Sequence, residues 1–182
     1  MRLFFALPLP GEAKERLRAP LEAARMAGGD GVGFTRIEQL HFTLAFLGEQ
    51  PGPDEALAAG EALRDGAAFE VGLSGAGAFP NTVRPRVLWL GVSDGAAPLI
   101  AAAERLRTAL RQRGFKLEER PFRPHLTIGR VRPRGERPAK RALAAIGPGE
   151  LVHWTAHEAC LMQSVLGKGG ATHTVVRGFA FR

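Results

Sequence analysis

The hydrophobic positions follow two spacings along the chain, and each spacing predicts a different kind of element. Apolar residues three and four positions apart predict amphipathic helices, and the clearest case is 98–113, where Leu99, Leu106 and Leu110 share one face. Short runs rich in β-branched and aromatic residues, bounded by Gly or Pro, predict strands. The predicted helices are 11–26, 54–64, 98–113 and 139–146, and the predicted strands are 3–7, 34–36, 40–46, 69–73, 86–92, 125–131, 151–164 and 172–181.

Individual residues mark the ends of these elements. Pro20 lies inside the first helical pattern, so we expect a kink or a new helix start there. Asp54 is placed to cap the second helix, and Gly114 to end the third. Residues 168–170 are expected to form a hairpin tip. Strands and helices alternate twice in similar order, which indicates an α+β fold with a weak internal duplication.

The composition suits a single domain that spans residues 1–182. Hydrophobic residues make up 45% of the chain, enough for a core, and no apolar run approaches the ~18 residues of a membrane helix. The one cysteine, Cys160, excludes an internal disulfide and is expected to be a small buried hydrophobe in a strand. We therefore expect a cytoplasmic protein that has no association with membranes.

The net charge of +7 favours a polyanionic partner. Arginine supplies most of the positive charge, and its guanidinium fork matches phosphate better than lysine does. The charge supports RNA as a substrate without proving it, because a biased genome also produces a chain rich in Arg, Ala and Gly.

Two short segments carry the candidate chemistry. His41-Phe42-Thr43-Leu44 and His125-Leu126-Thr127-Ile128 share one pattern of histidine, apolar residue, threonine and apolar residue, about half the chain apart. Both are predicted strands, in which alternate side chains share a face. Each strand therefore presents an imidazole and a hydroxyl on one side and packs the core with the other. Two such strands would surround one small anion with two imidazoles and two hydroxyls.

A third segment, His153-Trp154-Thr155-Ala156, fits the shorter pattern but lacks the following Leu or Ile. His153 and His157 share a strand face about 13 Å apart, too far for one metal ion to bind both. We expect His153, His157 and His173 to be structural or surface histidines. No carboxylate–histidine cluster and no glycine–lysine nucleotide loop is present in the sequence, so we expect neither a metal nor a cofactor.

The paired motifs resemble those of the 2H phosphoesterase superfamily, in particular its RNA 2′,3′-cyclic phosphodiesterase branch, also called 2′–5′ RNA ligase. Supporting segments are 1–8, 41–48, 79–89 and 124–130, which span most of the chain. The resemblance implies two similar lobes with antiparallel sheets, related by a pseudo-twofold axis, with the active-site cleft between them and helices outside. It also implies metal-independent hydrolysis of RNA 2′,3′-cyclic phosphate ends to 2′-phosphates, with 2′–5′ ligation as the reverse reaction.

The residues leave the two proton-transfer roles open, since either imidazole serves as acid or base near neutral pH. The resemblance assigns His41 as the proton donor and His125 as the proton acceptor, with Thr43 and Thr127 as hydrogen-bond donors to the phosphate. Arg130 is a candidate phosphate ligand, although strict alternation places it opposite Thr127 unless Gly129 allows a bulge. Arg86 and Arg123 rank lower.

Two other functions remain open at this stage. The substrate could be a small cyclic nucleotide, or the chain could be a non-catalytic module that binds RNA or nucleotides. Two intact motifs argue against the second, because binding alone does not require two imidazoles. The expected partner is RNA with 2′,3′-cyclic phosphate ends, with no obligate protein partner.

Overall fold

Two antiparallel sheets and four α-helices make up the structure, a computed structural model that describes residues 1–168 and 170–182. The strands are β1 (Arg2–Pro8), β2 (Val32–Phe34), β3 (His41–Glu49), β4 (Phe69–Phe79), β5 (Val87–Asp94), β6 (Leu126–Val131), β7 (Glu150–Ala156), β8 (Glu158–Gly167) and β9 (Gly170–Ala180). The helices are α1 (Gly11–Gly28), α2 (Asp54–Gly60), α3 (Ala96–Gln112) and α4 (Glu136–Ile146), with short 3₁₀ turns at Gly29–Gly31, Ile37–Gln39 and Glu61–Asp65.

Each sheet combines strands from distant parts of the chain. The first sheet has the order β3-β1-β8-β9, and the second has the order β2-β6-β5-β4-β7. All the strand pairs in both sheets are antiparallel. The strand that begins at His41 therefore lies at the edge of one sheet, and the strand that follows His125 lies within the other. This topology confirms the predicted α+β class and gives each sheet one of the two motifs.

The helices bury the faces that the sequence pattern predicts. Leu17 and Leu21 of α1 and Leu99, Leu106 and Leu110 of α3 are buried in the hydrophobic core. Fully burying a leucine side chain stabilises the fold by about 1.5–3 kcal/mol, so these faces hold the helices against the sheets. Buried residues continue into β1, where Leu3, Phe5 and Leu7 are fully covered, and this core supports the strands that carry the motifs.

Several element boundaries differ from the prediction. Segment 151–164 is not one strand, because β7 ends at Ala156 in the second sheet and β8 begins at Glu158 in the first. The carbonyl of His157, between them, accepts a hydrogen bond from the amide of Phe181 at 2.8 Å. Asp54 does not cap α2, because it is the first helical residue and Pro53 precedes it without a side-chain cap.

Two further boundaries concern hairpins. β4 continues to Phe79, beyond the predicted end of this strand at residue 73, because it pairs with β5 as far as Val87. The predicted hairpin tip at 168–170 includes Gly169, which lies outside the described residues.

Candidate active site

A β-bulge follows the threonine of the first motif. In the pairing of β1 with β3, Ala6 faces Thr43 and Phe5 faces Ala45, so Leu44 is an extra residue on β3. Leu44 and Ala45 are both buried, and Phe46 is 50% exposed. A bulge of this kind reverses the alternation of side chains beyond it. Phe46 therefore returns to the face that carries His41 and Thr43.

The second motif contains the matching irregularity. Trp89 of β5 faces Thr127 and Leu88 faces Gly129, which leaves Ile128 as the extra residue on β6. Ile128 and Gly129 are both buried, whereas Arg130 is exposed. The sequence analysis allowed either strict alternation of side chains or a bulge near Gly129, and the structure has the bulge. Arg130 lies on the same face as Thr127.

The two motif strands face one cavity of about 550 Å³ between the sheets. Each motif contributes its histidine, its threonine and the residue three positions after the threonine: His41, Thr43, Phe46, His125, Thr127 and Arg130. The structure therefore brings together the candidates that the sequence analysis ranked first, whereas Arg86 and Arg123 are not among the described residues that line this cavity. A cavity of this size is in the range of small-molecule and cofactor sites.

Both imidazoles are anchored in the same way. His41 Nδ1 lies 2.7 Å from the carbonyl oxygen of Gln39, and His125 Nδ1 lies 2.7 Å from that of Arg123. A carbonyl oxygen only accepts hydrogen bonds, so Nδ1 carries the proton in each ring. The remaining nitrogen, Nε2, accepts a proton when the ring is neutral and donates one when the ring is charged. The geometry prepares both rings equally for either role.

The pKa of His41 is lowered from its ordinary value. Burial is the main cause, because a buried ring loses the hydration of its charged form. The hydrogen bond to Gln39 acts in the opposite direction, and the charges of His173 and Lys14 lower the pKa further. In the free protein, His41 is therefore biased toward its neutral form.

Known proteins are similar to this chain in sequence and in fold. The family model described as the 2'-5' RNA ligase superfamily matches residues 13–168 of the chain. The chain belongs to this superfamily. Its members include the two-histidine phosphoesterases. In this chain, the two histidine-threonine motifs line one cavity.

Several superfamily members are similar over nearly the whole length. The RNA 2',3'-cyclic phosphodiesterase of Escherichia coli is 34% identical over 98% of this chain and 96% of its own. The protein of the same name from Thermus thermophilus is 34% identical over 100% of this chain and 91% of its own.

Solved structures of superfamily members have the same fold. The Thermus thermophilus protein TT0787 has a TM-score of 0.81 at 30% identity and covers 99% of this chain and 97% of its own. E. coli LigT in complex with 3'-AMP has a TM-score of 0.75 at 27% identity, with coverage of 99% and 97%.

His173 lies at the site, although the sequence analysis did not place it there. It lines the same cavity as His41, and its role as a structural or surface histidine stays a prediction. Its ring centroid lies 5.4 Å from that of His41 and 4.9 Å from that of Phe4. Burial lowers the pKa of His173 as well. No local pattern points to this residue, since its place depends on the pairing of β9 with β8 opposite Ser164.

Phe46 and Arg2 were also missed. The guanidinium of Arg2 lies over the Phe46 ring, 5.1 Å from its centroid, and both residues line the cavity. Aligning the two motifs by position provides a signal for Phe46, because it occupies the place that Arg130 has in the second motif. Arg2 carries no such signal.

The cavity lining is cationic. It includes Arg2, Arg36 and Arg130 and three histidines, and no Asp or Glu stands among the described residues that line it. His153 and His157 are exposed elsewhere, as expected, and His153 lies 3.4 Å from a carboxylate oxygen of Glu150. Within residues 1–168 and 170–182 there is no group of three metal-binding side chains, and no helix long and apolar enough to cross a bilayer. The site is suited to a small anion.

Proposed function

We propose that this protein hydrolyses 2′,3′-cyclic phosphates at RNA ends to 2′-phosphates, with residues 1–182 acting as one bilobal domain in the cytoplasm. The observation that carries the proposal is the pair of Nδ1-anchored imidazoles that line one cationic cavity. Superfamily relatives named RNA 2',3'-cyclic phosphodiesterase support the hydrolysis of a cyclic phosphate.

The proposed reaction divides two proton transfers between the imidazoles. Nε2 of His125 removes a proton from water, and the water oxygen forms a bond to phosphorus. The bond between phosphorus and O3′ breaks, and Nε2 of His41 gives its proton to O3′. The product keeps the phosphate on O2′, and the protons balance when His125 later returns its proton to His41 through solvent. General acid–base catalysis of this kind contributes about 10²–10⁴-fold per group.

The remaining polar groups stabilise the phosphate oxygens. Thr43 and Thr127 are expected to donate hydrogen bonds from their hydroxyl groups to the non-bridging oxygens, where negative charge develops. Arg130 is expected to bind the same phosphate through its guanidinium, which the bulge in β6 brings to the cavity. Together they neutralise charge while the imidazoles move protons.

Substrate binding favours the protonated form that His41 needs as an acid, and the proton comes from solvent. In the free protein its pKa is lowered by burial and by neighbouring positive charge. A cyclic phosphate diester carries a negative charge, and an opposite charge within a few ångströms favours the charged form of a histidine. We therefore expect His41 to take up its proton as the phosphate binds.

The protein offers an aromatic side chain beside the phosphate site, against which the terminal base of the RNA can stack. Phe46 is 50% exposed and lines the cavity with Arg2 over its ring. Single-stranded RNA ends are recognised by stacking of unpaired bases on aromatic and guanidinium groups. We infer that the base stacks on Phe46, which selects nucleotides without selecting a particular sequence. Ligation of RNA ends at the same site would be the reverse reaction.

The test is single-turnover hydrolysis of an oligonucleotide with a 2′,3′-cyclic phosphate end. His41→Ala and His125→Ala should each lower the rate by at least about 10²–10⁴-fold, and the double variant should be little worse because the two groups act as a unit. Thr43→Ala and Thr127→Ala should cost about 10-fold to a few hundred-fold.

The third histidine-threonine pair provides the matched control. His153→Ala should retain the wild-type rate, because His153 is exposed on β7 away from the cavity. Each variant must first show the wild-type circular dichroism spectrum. Loss of activity in His153→Ala equal to that in His125→Ala, or full activity in His41→Ala, would contradict the assignment. A bound but unhydrolysed substrate in the wild type would indicate a non-catalytic RNA-binding module instead.

A further inference from the structure

The arginines divide into two groups according to their partners. Many form ion pairs with carboxylates, and these are Arg18, Arg25, Arg64, Arg107, Arg113, Arg120, Arg177 and Arg182. By contrast, Arg84, Arg86 and Arg132, around the start of β5 and the end of β6, form no ion pair with any described carboxylate. Positive charge is thus left available on one side of the second sheet.

These three arginines line a second cavity of about 610 Å³. Glu136 is the acidic residue in its lining, so three positive charges stand against one negative charge there. The backbone around the cavity is held by hydrogen bonds: the amide of Arg86 to the carbonyl of Phe79 and the amide of Val131 to the carbonyl of Arg86, both at 2.8 Å. The arginines therefore project from an ordered frame, which reduces the entropy that is lost when they bind a ligand.

The two cavities are close along the chain, at the C-terminal end of β6. Arg130 lines the active-site cavity, and Arg132 follows two residues later, about 7 Å along the extended chain. The guanidinium of Arg132 lies 3.7 Å from the place where a Cβ on Gly33 would stand, and Gly33 lines the active-site cavity. Nη1 of Arg132 also donates a hydrogen bond to the carbonyl of Asp30 at 3.0 Å, which fixes the side chain between the two cavities.

We call Arg84, Arg86 and Arg132 the arginine row, and the chemistry of their side chains identifies the ligand. A mononucleotide ends within the active-site cavity, whereas an RNA chain continues from it with one phosphate per nucleotide. Guanidinium groups bind phosphate oxygens through paired hydrogen bonds. Three such groups around one cavity match several phosphates of one RNA chain, whereas an isolated nucleotide has no phosphate outside the active site.

We propose that Arg84, Arg86 and Arg132 bind backbone phosphates of RNA on the 5′ side of the cyclic phosphate. The substrate is then an RNA chain and not a small cyclic nucleotide. Phosphate contacts position a chain without reading its sequence, so the enzyme acts on RNA ends of many sequences. This inference rests on the proposed function of the active site.

The test compares two substrates and two matched double variants. The substrates are a ten-nucleotide single-stranded RNA with a 2′,3′-cyclic phosphate end and the corresponding cyclic mononucleotide. Arg84→Gln/Arg86→Gln removes two arginines of the row, and Arg113→Gln/Arg182→Gln removes two that pair with Glu55 and Asp65. Both double variants lose two positive charges. A difference between their kinetics therefore depends on where the arginines lie and not on the net charge of the protein.

The expected effect follows from the release of counterions. Each single-strand phosphate contact contributes about −0.7 to the slope of log affinity against log salt, or roughly 5-fold at 0.1 M salt relative to 1 M. The row variant, Arg84→Gln/Arg86→Gln, should therefore lose up to about 25-fold in kcat/KM on the oligonucleotide at 0.1 M salt. The slope of its log kcat/KM against log salt should be shallower than that of the wild type by up to about 1.4. Its turnover of the mononucleotide should be unchanged, and the control variant should match the wild type on both substrates.

The outcomes separate this inference from the proposed function. Equal oligonucleotide kinetics and salt slopes for the row variant and the wild type would overturn the inference and leave the active site intact. A matching loss on the mononucleotide would also overturn it, since the arginines would then support the structure of the site. If the wild type hydrolyses neither substrate, the proposed function is wrong, and fluorescence anisotropy with labelled RNA still decides whether the row binds phosphates.

Discussion

Replacing Phe46 by alanine tests the stacking of the terminal base. The ring is 50% exposed, so about 75–125 Å² of the 150–250 Å² that an aromatic side chain can bury remains available. Covering that area with a base stabilises the complex by about 2–3 kcal/mol at 25 cal/mol per Å². If the base displaces the guanidinium of Arg2, an exposed cation–π contact of about 0.5–1 kcal/mol is lost. The net effect of about 1–2.5 kcal/mol corresponds to a change of about 5- to 60-fold in kcat/KM.

The assay compares a cyclic-phosphate end that carries adenine with an abasic end of the same chain. The wild type should favour the adenine substrate by about 5- to 60-fold, and Phe46→Ala should lose this preference while its rate on the abasic substrate is retained. Met26→Ala serves as the control, because Met26 is 78% exposed on α1 and does not line the cavity. An undiminished preference in Phe46→Ala would refute the stacking. So would an equal loss on both substrates, which would show that Phe46 only shapes the site.

Three further predictions concern protons, metals and the thiol. His173→Phe should raise the pKa of His41 in an NMR titration, because one of the charges that lower it is removed; a value unchanged from wild type would show that the rings are not coupled. The pKa values of His41 and His173 are lowered from 6.5 in the folded protein, so the unfolded chain binds protons at a higher pH than the folded protein does. The free energy of unfolding should therefore fall as the pH drops through 6.5, and it should fall less steeply in His173→Phe. Hydrolysis should survive exhaustive EDTA treatment; loss of activity that one divalent ion restores would contradict this. Burial raises the pKa of Cys160 to about 11, so Ellman's reagent at pH 8 should modify it only after unfolding, and rapid reaction of the folded protein would disprove its burial.

The parts of the structure that depend on local spacing could be predicted from the sequence. The buried faces of α1 and α3 follow from apolar residues three and four positions apart, whichever elements pack against them. The motif strands follow from their β-forming residues and flanking turns. In the candidate site, His41 and His125 could be named because the same pattern occurs twice.

The parts that depend on pairing between distant strands could not be predicted. Segment 151–164 has strand-forming residues throughout, and only the separate partners of β7 and β8 reveal the change of sheet at His157. Phe46 enters the cavity because β1 and β3 pair with a bulge. The residues of β3 alone do not indicate this bulge, and the only signal for Phe46 is its alignment with Arg130 of the second motif. His173 reaches His41 from the far edge of the first sheet, a proximity created by tertiary structure alone.

The matched bulges in β3 and β6 make the two walls of the cavity alike at the histidine and threonine but different three residues after the threonine. A cyclic phosphate has two ester oxygens, O2′ and O3′, so a site with identical walls would accept the nucleotide in two opposed orientations and release a mixture of isomers. In the proposed reaction, Phe46 on one wall and Arg130 on the other would remove this degeneracy, because a base and a phosphate favour different walls. The choice between O2′ and O3′ would then depend on the position where the two motifs differ, and exchanging those two residues would change it without altering the residues that move protons.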